Sequence, residues 1–465
     1  MNAALLIDFG STYTKLSAVD LDDARLIGRS QAFTTASTDI SIGLQKALDQ
    51  LHIKIGAIDF KVRLACSSAA GGLSMVASGL VPGLTSKAAK LAAFGAGAKV
   101  IKTYAYQLTL EDIEEIGRIN PDILLLSGGI DGGNSEVIIH NAGMLAGASG
   151  SFPVVIAGNR SAQSECEAVL RQSNHPVYTA PNVMPEMNVL NIEPVTKVIR
   201  EIFLKRIVLA KGLNKASALL DNILMPTPSA VLSALTLLSK GIGKQQGLGD
   251  LIAVDLGGAT TDVYSIAKGD PVNPSTVLRG LPEPLVKRTV EGDLGMRYNA
   301  QGIFEAIGGD VLCDLSGLSK ETVSGVLKRY REDPAALPAS PEEKKADQAL
   351  ASAAISLAMT RHAGRLERVF TPIGPVYEQT GKDLTQTERL IVTGGALIYA
   401  DDLDRIVENA LKLPDAMSLV PRSVKTVRDK EYLLSAMGLL SSYAPEVSFS
   451  LMKAYFGKDD MYAAD

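Results

Sequence analysis

Asp8 and Asp255 stand at matching places in this chain. Asp8 ends the apolar run of LLIDFGSTYTK (5–15), and Asp255 ends that of LIAVDLGGATTDV (251–263). In both stretches an apolar residue, a glycine, a small residue and hydroxyls follow the acid. The apolar run predicts a strand, and the glycines predict a turn into a second strand. Each stretch is therefore expected to form a β-hairpin, with a carboxylate where the first strand's hydrogen bonding stops. Backbone N–H groups around Gly10, Gly257 and Gly258 can converge on an anion, because glycine permits the φ values and the close approach. Ser11, Thr12 and Thr14 in the first hairpin, and Thr260 and Thr261 in the second, add short-range donors. Lys15 can supply a point charge to a phosphate. Its alternative is a solvated strand residue.

Carboxylates and phosphates repel, so the two acids make sense with a cation between them and the phosphates. Mg²⁺ suits this: it keeps several waters and is held by one or two carboxylates plus phosphate oxygens. It would neutralise the phosphates and polarise the γ-phosphoryl group. Asp8, Asp255 and Asp262 are the candidate catalytic residues. Asp262 would orient a water or a ligating side chain, or else cap a turn. In LIVTGGAL (390–397), Gly394 and Gly395 follow a further strand and let an adenosine or ribose lie close to backbone. The implied cofactors are ATP and Mg²⁺. There is no G-x-x-x-x-G-K-[ST] motif, and no G-x-G-x-x-G after the first strand, so neither of those nucleotide sites is expected.

The elements that must position these residues are legible as short apolar runs ending in Gly or Asp. ALLIDFGS, VRLACSSAAGG, PDILLLSGGIDGG, FPVVIAGN, DLIAVDLGGATTD and RLIVTGGAL read as buried strands of α/β sheets. Helical patterns lie between them, at 85–100 and 109–120, with Thr109, Glu111 and Asp112 as a capped, acidic start. Residues 192–225 read as largely helical. PSAVLSALTLLSK (228–240) has Pro at its start and Gly241 just past its end. After the Pro-rich connection 332–345, Ser340 precedes a helix expected from about 341 to 369. The polar tail after about 455 is expected to fray.

Together these residues resemble the actin, Hsp70 and sugar-kinase ATPase superfamily. IDFGSTYTK is similar to its first phosphate loop, VDLGGATTDV to its second and VTGGAL to its adenosine motif. MPTPSAVLSALTLLSKG (225–241) resembles the Hsp70 connecting helix, and EGDLGMR (291–297) its Gly-rich helix start. The order of motifs, with CSSAAGGL and PDILLLSGGIDGGN among them, is similar over essentially the full length to the glutamate mutase (methylaspartate mutase) accessory protein family GlmL/MutL. That family shares only a name with a mismatch-repair protein. The resemblance implies an α/β, ribonuclease H-like fold of duplicated actin-like ATPase domains, 1–250 and 251–465, with ATP–Mg²⁺ in the cleft. It implies an ATP-binding accessory chaperone that maintains or reactivates a coenzyme-B12-dependent mutase. Glutamate mutase subunits would be its partners, and slow hydrolysis its conformational switch.

The chain departs from the pattern in one place: Thr227 precedes Pro228 where the Hsp70 segment has Glu. The helix after it also carries no acid to act as the general base of a sugar kinase. This favours a switch over small-molecule kinase chemistry, the alternative within the superfamily. A non-hydrolysing nucleotide-binding scaffold is a further alternative.

Residues about 60–180 lengthen the first half beyond what the fold needs. Their strand, helix, strand order, VRLACSSA included, reads as a Rossmann-like insertion. SGGIDGGN (127–134) could touch a nucleotide, a cobalamin tail or the mutase; a turn at the sheet's C-terminal edge is the plainer reading.

Composition narrows the rest. At 465 residues the chain exceeds one hydrophobic core. A net charge of −5 gives no reason to expect nucleic-acid or anionic-membrane binding. Cys66, Cys166 and Cys313 form no CxxC pair, and His52, His140, His175 and His362 show no ligand spacing. This argues against zinc and against a cysteine-held cluster. Neither a signal peptide nor a membrane span is legible, so a cytoplasmic location is expected. Oligomeric state is left open, a homo-oligomer included.

Overall fold

The computed structural model describes residues 2–10, 12–35, 39–68, 73–209, 222–372 and 374–457. The chain forms two compact units, 1–247 with 433–465, and 248–432.

The first unit begins with β1 (Ala3–Phe9), β2 (Tyr13–Asp20), β3 (Arg25–Phe33) and β4 (Val62–Ser67). β1 is buried along its whole length, as a central strand covered on both faces must be. The insertion follows: β5 (Leu73–Gly79), β6 (Ala98–Ala105), β7 (Ile123–Leu126), β8 (Val154–Ile156) and β9 (Val177–Thr179). β10 (Asn222–Pro226) then returns to the first sheet, whose order is β3-β2-β1-β4-β10. A small ribbon, β11 (Gly241–Ile242) with β12 (Gln245–Gln246), follows. In the first sheet β2 is antiparallel to β1 and β3, and β4 and β10 continue parallel.

The second unit repeats that plan. Its strands are β13 (Leu251–Leu256), β14 (Thr261–Ile266), β15 (Val277–Leu278), β16 (Val286–Glu291), β17 (Arg365–Thr371), β18 (Gly374–Thr380), β19 (Arg389–Thr393) and β20 (Lys425–Arg428). The main sheet runs β16-β14-β13-β19-β20, with β14 antiparallel and β19 and β20 parallel to β13. Counted within each sheet, both orders are 3-2-1-4-5 with an antiparallel second strand. This is the ribonuclease H-like arrangement, present twice.

The insertion is a separate parallel sheet of order β6-β5-β7-β8-β9, wound in both directions from β5 and β7. Its apolar core joins Leu124, Leu126, Val154 and Ile156 to Ile138, Leu145, Cys166 and Leu170 on the covering helices. β4 is not part of it: VRLACS pairs with β1 and β10 instead.

Several local signals act as read. Thr109 and Asp112 form a reciprocal capping box on helix Leu110–Ile119, and Ser340 with Glu343 does the same for the helix beginning at Pro341. Helix Thr227–Lys240 carries Pro in its first turn and ends at Gly241, φ +79°. A Cβ at Gly241 would stand 2.1 Å from the Gln245 carbonyl oxygen.

Other elements differ from expectation. The helix from 341 ends at His362, because the chain must turn into β17. A Cβ at Gly364 would meet the Thr380 carbonyl oxygen of the neighbouring β18 at 2.6 Å. Residues 98–100, expected helical, open β6. Within 192–225 the helix covers Glu193–Leu209, residues 222–225 join β10, and 210–221 lie outside the described residues. Most of the fraying tail, 458–465, also lies outside them.

The division expected near residue 250 does not anticipate the chain's return. Helices Leu433–Ser441 and Pro445–Phe456 belong to the first unit. Gly438 makes this possible: a Cβ there would lie 1.8 Å from the carbonyl oxygen of Ala230. Only hydrogen lets the two backbones meet so closely.

Candidate functional site

Both hairpins close in the same way. Gly10 N–H donates to the Tyr13 carbonyl at 3.1 Å, and Gly257 N–H donates to the Thr260 carbonyl at 3.0 Å. Asp8 lies across from Lys15 in the first ladder, and Asp255 across from Asp262 in the second. The repeat seen in sequence is thus a repeat of backbone geometry, with a different cross-strand partner for each acid.

Asp8 is buried, at 5% exposure, and held from three directions. Its Oδ1 accepts from Thr227 Oγ1 at 2.7 Å and from the Cys66 thiol at 3.5 Å. Its Oδ2 accepts from Ser435 Oγ at 3.0 Å. Thr227, the departure from the resembling pattern, is thus a donor to the first acid. Burial, then the Asp8 charge, pushes the Cys66 thiol well above its ordinary range, so it keeps its proton and remains a donor. Lys15 is half-buried, and its charge acts on Cys66 in the opposite sense.

The hydroxyls divide by direction. Thr12 is exposed at the first turn, and its carbonyl accepts from Thr34 N–H at 2.8 Å. Thr14 is fully buried, with Oγ1 3.0 Å from Thr34 Oγ1. Thr261, its counterpart, is also fully buried and donates to the Leu294 carbonyl. The structure therefore gives these two hydroxyls partners inside the fold. Thr260 is half-buried and 3.5 Å from Asp262 Oδ2. Ser11 lies outside the described residues.

The second turn is buttressed by the Gly-rich segment that resembles a helix start. Met296 N–H donates to the Gly257 carbonyl at 3.1 Å, and Arg297 and Tyr298 N–H both donate to the Gly258 carbonyl at 2.9 Å. Asn299 Nδ2 donates to the Ala259 carbonyl at 2.8 Å. Gly295 must lack a side chain, since a Cβ would stand 2.3 Å from the Ala259 carbonyl carbon. Among the described residues, the N–H groups of Gly258 and Ala259 donate to no protein acceptor. Carbonyls tied back and N–H groups left outward suit an anion.

Asp262 is buried and engaged: Arg288 Nη2 and Nε approach its Oδ1 at 2.5 and 2.8 Å. Asp255 is only half-buried. β13 runs parallel to β19 with Asp255 beside Thr393, so Gly394 falls at the end of β13. Gly394 has φ +91°, and a Cβ would lie 2.3 Å from the Leu256 carbonyl oxygen. Gly395 is exposed, with Tyr432 Oη 3.9 Å from where its Cβ would stand.

Within the second unit, then, Asp255, Gly257, Gly258, Thr260, Gly394 and Gly395 come together. Tyr432 joins them unforeseen. Burial, then Tyr399 and Asp255, pushes its phenol well up, so it stays neutral. In the first unit, Thr227, Cys66 and Ser435 gather on Asp8, and Ser435 had no local signal at all.

The Gly-rich loop 127–134 follows β7. Asn159, fully buried, accepts from Gly132 N–H at 3.0 Å and donates to the Gly133 and Asn134 carbonyls at 3.0 and 3.1 Å. Among the described residues no group of three or more His, Cys, Asp or Glu side chains could hold a metal ion. No described helix is long and apolar enough to cross a membrane.

Comparison with known proteins gives four likenesses. The family model described as "MutL protein" matches residues 4–456. "Protein MutL" from Clostridium tetanomorphum is 46% identical over 465 residues, covering 98% of this chain and 100% of that protein. Among solved structures, the activator of the 2-hydroxyisocaproyl-CoA dehydratase from Clostridium difficile with bound ADPNP aligns over 100% of this chain and 98% of its own, at 9% identity and TM-score 0.35. A diol dehydratase-reactivating factor in nucleotide-free form aligns over 96% and 100%, at 10% identity and TM-score 0.33.

Proposed function

This chain belongs to the MutL protein family, and we propose that it is an ATP-binding accessory protein of a coenzyme-B12-dependent glutamate (methylaspartate) mutase. Mg-ATP binding and slow hydrolysis would switch its conformation. The observation that carries the nucleotide half is the duplicated hairpin. Two ribonuclease H-like sheets each carry an acid at the next-to-last position of their first strand, then close a Gly turn with the same backbone bond. Such a turn offers N–H donors to phosphate oxygens.

The side chains fit a hard cation of small appetite for protein ligands. The candidate ligands are Asp8 in the first unit and Asp255 in the second, since Mg²⁺ takes one or two carboxylates and completes its shell with waters and phosphate oxygens. When bound, the cation would neutralise phosphate charge and polarise the terminal phosphoryl group. The turn N–H groups of Gly258 and Ala259 would bind phosphate, Thr12 and Lys15 would add donors, and the exposed backbone at Gly395 would admit a sugar or base. Asp262 would act through Arg288 and Thr260, keeping the second hairpin's shape. Helix Thr227–Lys240 has no carboxylate to take a proton from a sugar hydroxyl, which favours switching over kinase chemistry.

Calorimetry with Mg-ATP is the first test: binding by the parent chain and its loss in Asp8→Ala and Asp255→Ala are expected. Unaltered binding in both variants rejects the proposed site. Capture of the mutase subunits by the tagged chain, and phosphate release with and without them, test the accessory role and separate a switch from a non-hydrolysing scaffold.

A further inference from the structure

We infer that Thr227 and Ser435 set the cation specificity of the Asp8 site, favouring Mg²⁺ over Ca²⁺ by leaving Asp8 one open acceptor position. The inference rests on the reading that Asp8 serves a cation-bound nucleotide.

An ionised carboxylate has about four lone-pair positions, two on each oxygen. On Asp8, Oδ1 accepts from Thr227 Oγ1 at 2.7 Å and from the Cys66 thiol at 3.5 Å, which fills it. Among the described residues Oδ2 accepts from Ser435 Oγ at 3.0 Å, which leaves it one position. The donors come from β4, from the first residue of helix Thr227–Lys240 and from helix Leu433–Ser441. Anchored on three separate elements, and 5% exposed, the carboxylate cannot turn to offer both oxygens to one ion.

A single position on one oxygen suits an ion that wants a compact octahedral shell and keeps its waters. Ca²⁺ instead takes six to eight oxygens in a flexible shell and often uses both oxygens of a carboxylate. The two hydroxyls therefore act as positioning residues. They act through Asp8, deciding how many oxygen atoms it can present. Thr227→Val keeps the side-chain shape and opens Oδ1; Ser435→Ala opens the second position on Oδ2; Thr227→Ser retains the hydroxyl.

The test titrates Mg²⁺ and Ca²⁺ separately against a fluorescent ATP analogue bound to the full chain. The quantity read is the ratio of the two half-saturating concentrations. The parent is expected to favour Mg²⁺ by at least about tenfold. Thr227→Val should lower that preference by about tenfold, the size of one hydrogen bond to a charged group. Ser435→Ala should lower it too, and Thr227→Ser should match the parent. Should Thr227→Val fail to fold, Ser435→Ala alone decides the matter. An unchanged ratio in the folded variants, with Mg-dependent binding intact, overturns this inference and leaves the proposed function standing. No cation-dependent binding by the parent overturns both.

Discussion

Ser435 donates its hydroxyl to Oδ2 of Asp8 at 3.0 Å, across 427 positions of sequence. The bond needs helix Leu433–Ser441 to lie directly on helix Thr227–Lys240, backbone against backbone at Gly438 and Ala230. Gly438→Ala is therefore expected to destabilise the protein by about 3 kcal/mol, the upper part of the range for overpacking, because the obstacle is main chain. Chemical denaturation measures the loss. A change within error of the parent would mean the two helices do not meet this closely.

Arg288 and Asp262 make a second sharp case. Both are buried, and the guanidinium brings two nitrogens to one carboxylate oxygen. Removing one member leaves the other charged and buried, so Arg288→Met should cost about 3–5 kcal/mol. The double variant Arg288→Met with Asp262→Asn should recover much of it. Urea unfolding of the three proteins checks this, and no recovery in the double variant would count against a direct pair.

Lys382 gives a pH dependence whose sign follows from its surroundings. It is fully buried, donating to the Leu285 carbonyl at 2.8 Å and to Ser265 Oγ at 3.2 Å. Burial first, then the nearby Lys287 charge, lowers its pKa to about 7. An unfolded chain holds that proton up to about 10.4. Between those values the unfolded state binds more protons, so stability should rise with pH from about 7 toward 10. The slope from this group is at most about 1.4 kcal/mol per pH unit. Lys382→Met should lose that slope, and unfolding free energies at pH 7 and 9.5 compare the two. An equal slope in both proteins would assign the effect elsewhere.

Asn159 should govern the loop 127–134. Its side chain supplies bonds to Gly132, Gly133 and Asn134 from the end of β8. Asn159→Ala should speed amide exchange at Gly132 by roughly tenfold or more, with little change in the sheet strands, because that N–H loses its acceptor. Hydrogen exchange read by mass spectrometry shows it directly. Parent-like exchange across the loop would mean its other bonds, those of Asn182 to the Gly129 carbonyl and to Asp131 among them, hold it without Asn159.

Where the reasoning from sequence succeeds, the cause is local. A short apolar run that ends in an acid and a glycine reads as a strand entering a turn, and Gly10 and Gly394 stand where a Cβ would meet a carbonyl oxygen at 2.6 and 2.3 Å. Capping boxes at Thr109 and Ser340 are likewise decided within four residues. The errors have a different cause. VRLACS reads like any strand of the insertion, yet Cys66 pairs with Asp8, which places it in the first sheet. The helix from 341 stops at His362 because β18 arrives from elsewhere and crowds Gly364.

The sequence by itself determined that two acids stand near the ends of matching strands, that Gly turns follow them, and that the halves repeat. Those are properties of neighbours along the chain, where steric limits on φ and ψ and the alternation of side chains act at once. Only the tertiary structure decided what each acid faces. Thr227, Cys66 and Ser435 close on Asp8, whereas Asp255 faces Asp262 across its ladder, and Arg288 takes up the Asp262 charge. Hydrogen bonds and ion pairs depend on distances of a few ångströms in space, and separation along the chain does not reveal them.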